Sequence, residues 1–137
     1  MNDETRPDPA SWTDEERRAK GKDLGRTLFT GAPRVRRMPA EAERHYQTHL
    51  FGDVWQDSTL TFEERSLMTC ALLVAQGREF EQKLHFRGAR NLGIDRAKLE
   101  AMITHVIQYA GWPVGSVGFR ALAEVWETMD DEEGSGG

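Results

Sequence analysis

The chain of 137 residues contains one cysteine, Cys70, and that scarcity removes several kinds of chemistry at once. A single cysteine gives no internal disulfide, no Cys-x-x-Cys redox pair and no cysteine-built zinc site. Cys70 also sits in the apolar run LMTCALLVA, where a free cysteine behaves as a small core residue; a reactive thiol needs a polar, partly exposed setting. No apolar stretch approaches the roughly 18 residues of a membrane span, so no membrane partner is expected. The opening MNDETRPDPASWTDEE is acidic and polar, unlike a secretory signal or an arginine-rich transit peptide, and a cytoplasmic location is expected from it. Basic excess is missing too. The formal charge is −5, and it falls to about −1 without Asp130, Asp131, Glu132 and Glu133, so nothing marks a nucleic-acid surface. Finally, no segment alternates polar and apolar residues as a strand does.

What remains is helix. Residues 1–11 hold three acids and two prolines with little to bury, and are expected to be disordered. A first helix is predicted from residue 13 to about 29, opened by a Thr13/Glu16 capping box with Trp12 as staple. Its apolar face is thin, chiefly Leu24 and Leu28, and Gly21 and Gly25 weaken it. The loop TGAPRVRRMP carries Arg34, Arg36 and Arg37, which would close over an anion or simply be solvated. A second helix starts near Pro39 and brings Tyr46, Leu50, Phe51, Val54 and Trp55 to helical spacing, with Gly52 loosening its end.

The third helix, from Thr61 to about residue 76, is apolar on nearly every side, the pattern of a helix covered by others. A fourth runs from Glu79 to about residue 92, with a Phe80/Leu84/Leu92 stripe beside His85, between Gly77 and Gly93. Asp95 caps a fifth, whose His105 and Tyr109 lie four apart beside Met102 and Val106. A sixth follows the Gly111/Pro113 break, from about residue 114 to 129. The expectation is all-α: one helical domain over residues 12–129, a bundle of about six helices, then a flexible acidic and Gly/Ser tail over residues 130–137.

The order FGDVW, then ERSLMTCALLVAQGREFEQKLHFRGARNLGI, then THVIQYAGWPVGSVGFRALAEVW resembles the carboxymuconolactone decarboxylase family. The most specific parts are Gly77-Arg78-Glu79-x-Glu81 leading to Leu84-His85, the Gly93 turn, and Tyr109-Ala-Gly-x-Pro113. Peroxidase relatives in the wider alkylhydroperoxidase-like superfamily use two cysteines, a histidine and a glutamate. Here the cysteine positions hold Arg78 and Glu81, the glutamate position holds Ser66, and only His85 remains, so thiolate peroxidase chemistry is not expected. Where the family's second helix usually carries arginine and an aromatic, this chain has Thr48 and His49.

The resemblance implies a cofactor-free, metal-free enzyme of aromatic-acid catabolism (the β-ketoadipate route). It would decarboxylate 4-carboxymuconolactone or a related carboxylated lactone, as a homo-oligomer, trimer or hexamer. That reaction needs donors at the lactone oxygen, an anchor for the remaining carboxylate, and an acid that returns a proton to carbon. His85 is the first choice for the acid, with Glu81 one turn earlier pairing with it and favouring its charged form. The plain alternative is a histidine at the edge of a core stripe. Arg78 is a candidate carboxylate anchor, or a surface salt bridge to Glu81. His105 and Tyr109 are candidate donors to the lactone, although Tyr109 also fits a core tyrosine. His49 is a further candidate acid, and its spacing from His45 invites a metal that lacks a third ligand. Two other readings stay open: a different small cyclic or keto acid, or a non-catalytic helical oligomer that binds a ligand.

Overall fold

The computed structural model describes residues 6–33 and 38–136. Arg34, Arg36 and Arg37 lie outside them. Every regular element among the described residues is helical, as the sequence pattern requires: α1 (Asp14–Leu28), α2 (Ala40–His45), α3 (Phe62–Ala75), α4 (Glu79–Asn91), α5 (Arg96–Ala110) and α6 (Trp112–Gly136), with short 3-10 turns at Pro9–Ser11 and Val54–Gln56 and a π-helical turn at Tyr46–Leu50. The chain divides into two compact units, Met1–Arg65 and Ser66–Gly137.

In the first unit the capping box forms as read. Thr13 Oγ1 accepts from the Glu16 amide at 3.1 Å, and Glu16 returns a carboxylate oxygen to the Thr13 amide at 2.8 Å. Residues 6–11, expected to be disordered, are instead tied down. Arg6 donates to the carbonyls of Trp55 (2.9 Å) and Leu60 (2.8 Å) with its guanidinium 3.9 Å from the Phe62 ring centroid, and Pro9 is buried. The glycines also act differently from the sequence reading. A Cβ on Gly21 would fall well inside the contact distance of the Gln47 carbonyl oxygen, and one on Gly52 inside that of the Arg17 carbonyl. These two glycines therefore let α1 and the π-helical turn meet backbone to backbone, while Gly25 faces open space. Phe51 centres the aromatic cluster, with ring centroids 4.8 Å from Tyr46, 5.5 Å from Trp55 and 6.0 Å from Phe29.

The second unit has one core, including Cys70, Val74, Phe86, Ile103, Leu122 and Val125. α3 buries a single stripe, Phe62, Ser66, Cys70 and Val74, spaced four apart, and leaves Met68 and Leu72 exposed. In the protomer it is therefore not the fully covered helix that its composition suggests. The α3–α4 corner closes on one acceptor. The Leu73 carbonyl takes the Arg78 amide at 2.9 Å and the Gln82 side-chain amide at 3.1 Å, across Gly77 at φ +67°. Asp95 occupies the position before α5 but makes no side-chain cap.

α6 is longer than expected. Its acidic end, read as a flexible tail, stays helical through Gly136, because α4 supplies its counter-charges. Arg87, only 8% exposed in its side chain, grips Glu132 through both nitrogens at 2.9 Å. Arg90 reaches Asp130 (2.7 Å) and Glu133 (3.1 Å) and lies over the Trp126 ring. Lys83–Glu124 (2.6 Å) and Glu79–Arg120 (3.1 Å) extend the series, so α4 and α6 run in the same direction. A buried arginine persists only with such two-pronged pairing.

Candidate active site on the fourth helix

α4 has two flanks with different chemistry. Residues 79, 83, 87 and 90 point to α6 and are consumed by the ion pairs above. Glu81 and His85, four apart, share the opposite flank by helical geometry. Gln82, Phe86 and Ala89 lie between the flanks and are buried. The core stripe is thus Phe86/Ala89; Leu84 is half-buried and Phe80 exposed, which corrects the Phe80/Leu84/Leu92 assignment.

His85 is half-buried, and burial pushes its imidazole down to about 4, against the opposing pull of Glu81. This reverses one expectation. Glu81 does favour the charged ring, but the loss of water outweighs it, and the resting imidazole is neutral at pH 7. Two consequences are measurable. By NMR, the ring protons of His85 are expected to titrate near pH 4, far below an ordinary histidine. Because the unfolded chain then binds the proton more readily, the stability contributed here is complete above about pH 6.5 and is lost as pH falls toward 4. Glu132 and Glu124, held low by their hydrogen bonds to Arg87 and Lys83, shift acid sensitivity the same way.

The other predicted residues separate. Arg78 stands before the first turn of α4 with an exposed side chain, and forms no ion pair with Glu81. His105 and Tyr109 contact each other at 5.2 Å between ring centroids, on the outward face of α5. Tyr109 is 83% exposed, so it is not the core tyrosine that its spacing suggested. His45 and His49 stack at 5.6 Å on the surface, and no group of three or more His, Cys, Asp or Glu side chains among the described residues is arranged to hold a metal. The sequence reading missed Gln82, which ties α4 to the end of α3; its only signal was a polar residue on the apolar side of the helix. Burial pushes the Cys70 thiol up to about 12, the state of an inert core sulfur. No helix among the described residues is long and apolar enough to cross a membrane.

A profile of the carboxymuconolactone decarboxylase family matches residues 40–124, more than half of the chain and all of α4. The chain belongs to this family. Within it, the chain is similar to 4-carboxymuconolactone decarboxylase of Acinetobacter baylyi, 35% identical over 79 residues covering 58% of this chain and 59% of the relative. It is also similar to nitrosuccinic acid decarboxylase of Metarhizium robertsii, 36% identical over 63 residues covering 46% and 44%. The chain spans about half the length of these curated relatives. Family membership agrees with the all-α architecture, and the matched region contains His49, Arg78, Glu81, His85, His105 and Tyr109.

Proposed function

We propose that this protein is a cofactor-independent carboxy-lyase acting on a small carboxylic acid whose departing carboxyl group sits next to an electron sink, with 4-carboxymuconolactone as the first substrate to try. The observation that carries the reading is the Glu81/His85 pair on the flank of α4 opposite its ion pairs to α6, inside the region matched by the family. The two relatives' names share one chemical demand. Loss of carbon dioxide leaves an electron pair, which a conjugated lactone carbonyl accepts as a dienolate and a nitro group accepts as a nitronate. Either carbanion equivalent then needs one proton on carbon.

The neutral resting state of His85 gives this proton a route. A bound polyanion next to the ring, added to the pull of Glu81, favours imidazolium and draws a proton from solvent. The substrate C–C bond then breaks and carbon dioxide leaves. The electron pair moves onto the sink oxygen, and His85 delivers its proton to carbon, returning to the neutral imidazole. The sum is substrate anion plus one proton giving product and carbon dioxide. Arg78 is the residue proposed to hold the remaining carboxylate, with His105 and Tyr109, exposed on the outward face of α5, as further proposed donors to the substrate. The inert Cys70 supports a reading without peroxidase chemistry. A homo-oligomer, trimer or hexamer, is proposed with this activity; Met68, Leu72, Phe80 and Trp112 are among the exposed apolar side chains available to build it.

The test is to follow carbon dioxide release and lactone absorbance with 4-carboxymuconolactone and with nitrosuccinate in parallel. Turnover of one sets the electron sink. Turnover of neither by folded protein overturns the carboxy-lyase reading and leaves a ligand-binding member of the family.

A further inference from the structure

The first unit holds a cavity of about 220 Å³ whose lining includes Arg6, Trp12, Lys20, Leu24, Gln56 and Phe62. None of the residues considered for decarboxylation lines it. Its chemistry is nonetheless specific. Two of the lining side chains are aromatic, Trp12 and Phe62, and two are cationic, Arg6 and Lys20. The Lys20 ammonium lies 5.8 Å from the Trp12 ring centroid, and no ion pair of Lys20 is formed among the described residues. The carboxylate that also lines the cavity, Asp23, is taken by Arg26 at 2.6 Å. Arg6 is fixed in place by two backbone carbonyls and the Phe62 face, so its charge is held at the cavity before any ligand arrives. Preorganised charge of this kind spares a ligand the cost of ordering it.

From this we infer that the cavity is a binding site for a small planar carboxylate, an aromatic or enoic acid of roughly ten non-hydrogen atoms at protein packing density. The carboxylate meets Lys20 at the edge held by Arg6, and the flat apolar part lies against Trp12, Phe62 and Leu24. Both cations are already engaged with ring faces, which leaves the cavity a mixed apolar and positive surface. Inorganic anions satisfy only the charge and neutral arenes only the walls. The site does not depend on the decarboxylase reading.

Benzoate is the probe, with benzamide and inorganic phosphate as controls, read by calorimetry and by protein-detected NMR on the full chain. Saturable one-to-one binding of benzoate is expected, at least tenfold tighter than benzamide or phosphate. Lys20→Ala, a change at an exposed position of α1, is expected to weaken it about tenfold with an unchanged thermal midpoint, and Trp12→Leu to weaken it independently. His85→Gln is expected to leave it unaltered. No saturation at 20 mM benzoate overturns the inference (a concentration on the order of weak-ligand affinity). So does equal binding of benzamide, or binding that His85→Gln abolishes and Lys20→Ala does not, since the ligand then sits at the α4 site.

Discussion

Replacing His85 by glutamine is expected to lower decarboxylation by roughly a hundred- to ten-thousand-fold, the usual share of a positioned proton donor. Glutamine keeps a polar side chain of similar reach, so the half-buried position stays filled and the fold should persist. The loss should fall on kcat more than on KM, because the proton is needed only after carbon dioxide has left. Glu81→Gln separates a donor from its partner. Glu81 is a positioning residue acting through the ring, so its loss should move the alkaline limb of the pH–rate profile, where the imidazolium donor loses its proton, to lower pH and reduce the rate less. Adding a non-reactive dicarboxylate analogue should raise the His85 titration from its resting value of about 4 toward neutrality. Full activity in His85→Gln would remove the proton-donor assignment; an unmoved titration would remove substrate-driven protonation while leaving the assignment standing.

The second large effect is on stability and sets two glycines of one helix against each other. Gly21→Ala is expected to destabilise the protein by about 3 kcal/mol or more, since the new methyl group meets the backbone carbonyl of Gln47 and the amide of Gly52, neither of which can rotate away. Gly25→Ala, one turn later, meets nothing and should stabilise by about 0.5–1 kcal/mol through helix propensity alone. Urea denaturation of the two variants beside the parent decides the matter. Equal, small effects in both would mean that α1 does not cross the π-helical turn at Gly21.

Much of the local structure was written in short-range chemistry. Thr13 with Glu16, Thr61 before α3, Gly77 and Gly93 after two helices, and the Gly111/Pro113 break each act within a few residues, and each marks a helix end in the structure. The same locality made Glu81 and His85 recognisable, because four residues on a helix always share a flank. Periodicity likewise established the all-α class, and the ordered motifs established the family.

Tertiary packing decided what single helices leave open. Apolar content does not say which side of a helix is covered, so Tyr109 went outward and Phe86, not Phe80, became core. Glycine reads as a weak helix former until a neighbouring backbone arrives, as at Gly21. Acidic residues at a chain end read as a solvated tail until Arg87 and Arg90 meet them across 40 or more positions. The protonation of His85 is the same lesson at the site. Its partner Glu81 was visible in the sequence, but the water it loses is a property of everything packed around it, and that loss sets the sign.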